Sequence, residues 1–294
     1  MTVDRGHVPV LLQEVLAALK PAKGKTIVDC TVGLGGHSAQ LLRKKARVIG
    51  LDLDPANLDR ARAALEEAGG DFSLHHSNFA GLPTILAGEK VDGILADLGV
   101  SSPHIDDPKR GFSYRKPGPL DMRMDPSRGQ PASGFLDRLS EEELAQAILE
   151  LGDEESAPAI ARLIVERRPI RSTQELAALV CEARDFTLQR AAGAKLHPAA
   201  RTFQAVRMLV NRELPNLERL LAVIPDCLKP GGVAAVISFH SGEDRRVKQA
   251  FREGLRAGLY DRAADDPVQA TPEERRVNPR AAAAKLRWAR RAKK

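Results

Sequence analysis

The sequence predicts an α/β fold, a parallel sheet wrapped by helices, with a small helical domain inserted into it. Three observations carry that expectation. Short apolar runs alternate with amphipathic stretches through the first hundred residues, the pattern of repeated strand–helix units. A buried-strand run, Gly232–Phe239 (GVAAVISF), recurs near the C-terminus. About 130 residues separate it from the last early strand, far too many for one crossover.

Each element follows from local chemistry. Thr26–Cys30 (TIVDC) reads as a strand, followed by a glycine turn and a helix from about His37 to Lys44. Arg47–Leu53 is a second strand, Pro55–Ala68 a helix, Phe72–His75 a short third strand and Val91–Leu98 a fourth. Lys229-Pro230-Gly231-Gly232 should form the turn that ends a helix near Leu228 and leads into the fifth strand. The long interval reads as helical. Ser140 with Glu143 and Ser172 with Glu175 make capping boxes before apolar-periodic runs to Leu151 and Arg184. Ser156 should cap Ala159–Arg167. The expected division is residues 1–105 with 201–294 for the α/β domain, and 106–200 for an inserted helical substrate-recognition domain.

Composition excludes several classes. With 43% hydrophobic and 29% charged residues the chain is neither disordered nor membrane-embedded in character. No apolar run approaches the ~18 residues of a membrane span, and the N-terminus lacks a signal-peptide layout, so a cytoplasmic location is expected. The three cysteines, Cys30, Cys181 and Cys227, and the seven dispersed histidines show no metal-ligand spacing. The net charge of +6 is unevenly placed. Arg275–Lys294 holds nine Lys or Arg and no acid, leaving the other 274 residues at −3. Such a run is either a solvated tail or a polyanion-binding edge.

The stretch from Asp29 to His37 (DCTVGLGGH) is the most informative. Glycines at a strand-to-helix turn let the backbone approach a ligand closely. Asp52 or Asp54, closing the next strand, is placed to hold the hydroxyls of a ribose. Asp29 lies four residues before the loop. An acid there suits a cationic ligand better than a pyrophosphate, which argues against a nicotinamide dinucleotide and for the methyl donor S-adenosylmethionine. Asp97 ends the fourth strand, at the sheet edge where ligands bind. Phe79, after the third strand, is either core packing or a wall for adenine.

Several blocks carry a resemblance: residues 7–12 (HVPVLL), 29–38, 97–102 (DLGVSS), 110–113 (RGFS), 118–125 (GPLDMRMD), 197–205 (HPAARTFQA), 237–241 (ISFHS) and 278–280 (NPR). In this order, and over nearly the whole chain, they resemble the bacterial 16S ribosomal RNA (cytosine-N4)-methyltransferases, the RsmH or MraW family. The resemblance implies a class I Rossmann-like, S-adenosylmethionine-dependent methyltransferase with an inserted helical domain. It implies methyl transfer to N4 of a decoding-centre cytosine of small-subunit rRNA, with naked rRNA or the assembled small subunit as partner, no membrane, and a homodimer left open. By motif it places cofactor contacts at Gly35, Gly36, His37, Asp52, Phe79 and Asp97. His104 stands where the family usually has a Gln contact. Gly242, Ala281, Ala283 and Pro215 are further departures, Pro215 requiring a kink or a helix restart.

The residues suit amine chemistry. Methylation at cytosine C5 needs a cysteine nucleophile, usually after proline, and no cysteine here follows proline. The Pro-Pro-aromatic tetrad of many amino-methyltransferases is replaced by Asp97-Leu98-Gly99-Val100-Ser101-Ser102. Candidates to accept hydrogen bonds from the amine are therefore Asp97, Ser101 and Ser102, with Asp121 and Arg123 orienting the base or a phosphate. The loop holding Asp121, Arg123 and Asp125 has an alternative reading as a salt-bridged structural turn. Phe112 and Tyr114, beside Arg110 and Arg115, are either base-stacking platforms or a small hydrophobic cluster. Arg162, Arg167, Arg168 and Arg171 make either an RNA face or a solvated one. His240 reads as a hydrogen-bonded structural residue, and His7 and His197 are ambiguous. Rival functions are a DNA or other RNA amino-methyltransferase, a dehydrogenase, and a non-catalytic RNA-binding ribosome-assembly factor. On the resemblance, Arg275–Lys294 is a basic edge of the catalytic fold, ending in a strand over Ala284–Arg290.

Overall fold

In the computed structural model, residues 9–194 and 196–293 are described. They form two compact units, one running to Gly99 and resuming at Leu214, the other Val100–Glu213. The first contains helix α1 (Leu12–Leu19), β1 (Thr26–Asp29), α2 (Gly36–Arg43), β2 (Arg47–Asp52), α3 (Pro55–Ala68), β3 (Phe72–His76), α4 (Leu82–Leu86) and β4 (Val91–Asp97). The second contains α5 (Ser102–Asp106), α6 (Ala132–Arg138), α7 (Glu141–Gly152), α8 (Ala157–Glu166), α9 (Thr173–Ala183), α10 (Leu188–Ala192) and α11 (Ala200–Asn211). Helix α12 (Glu213–Cys227) leads back to β5 (Leu228–Ser238), α13 (Ser241–Arg256), β6 (Tyr260–Ala263), β7 (Val268–Gln269), α14 (Pro272–Val277) and β8 (Lys285–Arg291).

The sheet order is β3-β2-β1-β4-β5-β8-β6, with β7 also on β8. Strands β1 to β5 pair in parallel and β8 runs antiparallel to β5. The order β3-β2-β1-β4-β5 is that of a Rossmann-like doubly wound sheet, here extended by the reversed strand β8. The chain reverses its winding between β1 and β4, so the carboxyl ends of these neighbours, Asp29 and Asp97, flank the crevice where such sheets bind ligands. Strand alternation builds both faces. Ile94, Ala96 and Val236 pack with Leu217, Leu220 and Phe251 on one side. Leu95, Ala235 and Ile237 pack with Val15, Leu41 and Leu65 on the other.

Two local expectations change. The Lys229–Gly232 segment is not a turn ahead of β5 but a bulge within it: Val91 pairs with Leu228 and Gly93 with Val233. Three extra residues on β5 are thereby accommodated without ending the strand. Ser156 stands before α8 but its side chain does not cap it; its N–H donates to Glu154 Oε1 at 3.0 Å. The other two capping boxes form at Ser140 and Ser172. Pro215 is resolved as a restart: Arg212 turns left-handed (φ 51°) after α11 and Pro215 enters the first turn of α12.

The second unit has its own core, in which Leu136, Ile148, Ile164, Val180, Phe203 and Val206 are buried with Leu120 and Met122 of the preceding loop. Because α11 buries Phe203 and Val206 there, this unit extends past residue 200.

Candidate active site

The first unit assembles most of the glycine-loop residues. Gly33 and Gly35 are left-handed (φ +53° and +83°), and Gly35 starts α2. A Cβ on Gly35 would stand 2.7 Å from Leu65 Cδ1 and 3.3 Å from the Ala61 backbone, so the loop lies hard against α3. Asp52 braces it from the side. Its Oδ2 accepts the Gly33 N–H at 2.8 Å, and its Oδ1 accepts the Asp54 N–H at 2.8 Å. Asp54 is buried and caps α3, accepting the Ala56 N–H at 2.9 Å.

Asp29 is 1% exposed. Its Oδ2 accepts the Ser38 hydroxyl at 2.7 Å and its Oδ1 the Thr31 N–H at 3.2 Å. Burial nevertheless pushes its carboxyl up to about 6, against the lowering effect of those bonds. At the end of β4 the Asp97 N–H donates to Thr31 Oγ1 at 2.6 Å. The Asp97 Oδ2 stands 3.7 Å from Nε2 of His37, which is itself buried. Its other oxygen, Oδ1, is buried and accepts no hydrogen bond among the described residues. Burial, then the nearby carboxyls of Asp29 and Glu243, push Asp97 up to about 8. Phe79 lies in a 3-10 turn after β3, half-buried against the core. Gly36 is the first residue of α2.

The remaining candidates belong to the second unit. Ser101 precedes α5, and the His104 Nδ1 lies 3.2 Å from its N–H and 3.1 Å from its hydroxyl. The His104 ring is buried and stacks on Phe112 at 5.0 Å. The Ser102 hydroxyl is buried and has no hydrogen-bond partner among the described residues. Asp121 and Arg123 grip each other through two bonds of 2.8 and 2.7 Å, and the Arg123 N–H also donates to Asp121. The pair holds Asp121 below the usual carboxylate range. Asn211, not anticipated from the sequence, secures this loop: it donates to Met122 O at 2.7 Å and accepts the Met124 N–H at 2.8 Å. Met122 is left-handed (φ 61°) and fully buried, a strained conformation for a residue with a side chain.

Other readings resolve toward structure. Phe112 is buried, and Tyr114 stacks on His197 at 4.6 Å and meets Phe203 edge-on. These rings form a small cluster rather than an open platform. Arg162, Arg167 and Arg171 pair with Glu141, Glu182 and Asp137, and Arg168 donates to the Leu139 carbonyl. They do not make an unneutralised face. His240 caps α13, accepting the Glu243 N–H. His7 lies outside the described residues. No helix among the described residues is long and apolar enough to cross a membrane.

Sequence reasoning missed Thr31, Ser38, Glu243 and Asn211. Thr31 and Ser38 lay within the block 29–38, so their positions were legible even though their roles were not; Glu243 and Asn211 lie on amphipathic helices, whose periodicity does not mark which polar residue makes a long-range contact.

Comparison with known proteins gives a consistent result. The sequence model of the MraW methylase family matches residues 4–292. Proteins named ribosomal RNA small subunit methyltransferase H are similar throughout. The one from Koribacter versatilis is 44% identical over 293 residues, covering 96% of this chain and 93% of that protein. The one from Sorangium cellulosum is 47% identical over 292 residues, covering 97% and 90%. The Synechococcus sp. protein is 46% identical over 296 residues, covering 96% and 91%. Matched over nearly its whole length by the family model and by these relatives, the chain belongs to the MraW methylase family.

Proposed function

We propose that the protein transfers a methyl group from S-adenosylmethionine to the exocyclic N4 of a decoding-centre cytosine in small-subunit ribosomal RNA. The observation that carries the reading is the buried, unpartnered Oδ1 of Asp97 at the β1/β4 switch point, within a family of methylases whose relatives bear that rRNA name. The site fits the donor on its own chemistry. Two carboxyls held above their ordinary values, the buried Asp29 and the partly buried Asp97, favour a cationic ligand, which lowers the cost of ionising them.

Gly35, Gly36 and His37 would meet the amino-acid end of the donor, Asp52 its ribose and Phe79 its adenine, with Asp97 and His104 as further contacts. When bound, S-adenosylmethionine supplies an electrophilic methyl on its sulfonium. Everything else falls to the chain. The amine lone pair is delocalised into the cytosine ring, so the residues must orient N4 and receive its protons. We assign Ser102, with its unpartnered hydroxyl, and Ser101 to that orientation. Asp121 and Arg123, already locked to each other, position the loop that meets the base or an adjoining phosphate. Fixing donor and acceptor in line is worth ~7–11 kcal/mol of the barrier.

The second unit, with its separate core, is read as the substrate-recognition part, and the protein as cytoplasmic. The substrate form and a homodimer are decided by experiment. Labelled S-adenosylmethionine is incubated with naked rRNA and, separately, with assembled small subunits, and the mass of the active species is measured by light scattering. Label on N4-methylcytosine in either substrate supports the reading. Normal cofactor binding with no label in both would favour a non-catalytic assembly factor.

A further inference from the structure

A groove of about 630 Å³ opens in the first unit beside helix α1, running from the starts of the parallel strands onto β8. Its lining comes from where the parallel strands begin: Lys25 precedes β1, Asp92 lies at the start of β4 and Gly231 sits in the β5 bulge. The floor has a simple origin. Leu286, Trp288 and Arg290 project from the same face of β8 by strand alternation, and helix α1 packs beside them, burying Leu286 and leaving Trp288 partly exposed in the groove. An indole and aliphatic side chains are left lining an open trough.

Its charge is one-sided. Arg290 is spoken for by Asp261, at 2.7 and 3.0 Å, and Asp92 by Lys229 at 2.8 Å. Lys20, Lys25, Arg262 and Lys293 then face a single remaining acid of the lining, Glu14. Lys20, Arg262 and Lys293 make no ion pair within 4.0 Å among the described residues, and the charges of Arg262 and Lys293 also reach Asp261, whose carboxylate is bonded to Arg290. A bare inorganic anion has no use for the indole, and an apolar peptide none for the cations. A nucleotide offers both a π face and phosphates.

We infer that this groove binds a nucleotide segment of the RNA substrate, its phosphates on Lys20, Arg262 and Lys293 and a base against Trp288. The inference rests on the reading of rRNA as substrate. The groove lies beside α1 on a face of the sheet, whereas Asp97 stands at the carboxyl ends of the strands, so the nucleotide held here is not the one methylated. The groove is a second hold on the same RNA. It also gives one charge of the basic C-terminal segment a location: Lys293 lines the groove with Trp288, whereas Arg287 is buried against Asp244 at 2.7 Å.

Trp288 is the only tryptophan, so its emission reports this site alone. The full chain is titrated with an unstructured oligoribonucleotide, with inorganic phosphate and with polyglutamate. The oligoribonucleotide should quench the emission in a salt-dependent manner. In the triple variant Lys20→Ser, Arg262→Ser, Lys293→Ser, the log–log salt slope should fall by about 2, at roughly 0.7 per lost phosphate contact. The KM for rRNA should rise at least tenfold, with kcat at saturating RNA and affinity for S-adenosylmethionine unchanged. Emission unmoved by RNA, or an unaltered KM and slope, overturns the inference, as does quenching by phosphate alone or by polyglutamate alone. RNA quenching without methyl transfer to any rRNA would sink the functional reading and leave the groove standing. Methyl transfer with a silent Trp288 would do the reverse.

Discussion

The main-chain N–H of Asp97 donates to the side-chain oxygen of Thr31 at 2.6 Å, tying the end of β4 to the loop that follows β1. These are the two strands between which the sheet reverses its winding. The bond therefore sets the position of the Asp97 carboxyl relative to the glycine loop. Thr31→Val keeps the shape and removes the acceptor. Leaving a buried N–H unsatisfied costs about 1–3 kcal/mol. Calorimetric titration should show S-adenosylmethionine affinity reduced about fivefold or more, with Thr31→Ser restoring it and RNA affinity unaffected in both.

Asp29 and Asp97 give the protein a defined response to pH. Their carboxyls hold protons up to about 6 and about 8, well above the unfolded value. The folded state therefore binds more protons than the unfolded state across that window, and the ligand-free protein loses stability as pH rises from about 4 to about 8. Affinity for the cationic donor runs the other way, since it favours the ionised carboxyls. Thermal melts and calorimetry from pH 5.5 to 8.5 should show Tm falling while cofactor affinity rises.

Replacing Asp97 by Asn removes the upper part of that window. At pH 8 the variant without cofactor should be more stable by roughly 0.5–2 kcal/mol, the usual scale of relief at a functional site. Its methyl transfer should fall at least tenfold. Unaltered transfer and cofactor binding would remove Asp97 from both roles.

Ser38 donates to the buried Asp29. Ser38→Ala takes away a bond that lowers the Asp29 pKa, so that carboxyl should titrate still higher. Denaturation at pH 8 should show a loss of about 1–3 kcal/mol, shrinking at pH 5, where Asp29 is protonated. Carbon-13 NMR of the carboxyl follows the titration directly.

Asn211 holds the Met122–Met124 backbone in the second unit. Asn211→Ala should loosen this loop and the Asp121–Arg123 pair it carries, lowering transfer at least tenfold. Cofactor affinity in the first unit should be unchanged, because that unit has its own core. Equal losses of cofactor binding and transfer would contradict this division of roles.

Most strands and helices were legible because each obeys a local rule: apolar runs for buried parallel strands, and Ser140 and Ser172 with their capping boxes for helices. A last strand was expected over Ala284–Arg290; β8 forms over Lys285–Arg291 and its antiparallel direction is a finding of the structure. What escaped depends on contacts distant in sequence. The bulge at Lys229–Gly232 is fixed by pairing with β4. Phe112 and Tyr114 beside arginines read equally well as platform or packing, and only the positions of His104, His197 and Phe203 decide for packing. The glycine loop, Asp29 and Asp97 could be picked out from residue type and spacing. Their raised pKa values could not, because burial is a property of the fold.

The most direct test of the account maps methyl groups on small-subunit rRNA after incubation with the protein and labelled S-adenosylmethionine. The account predicts a single N4-methylcytosine in the decoding centre, present with the wild-type chain and lost with Asp97→Asn. Label at cytosine C5, at another base, or undiminished in Asp97→Asn would contradict it.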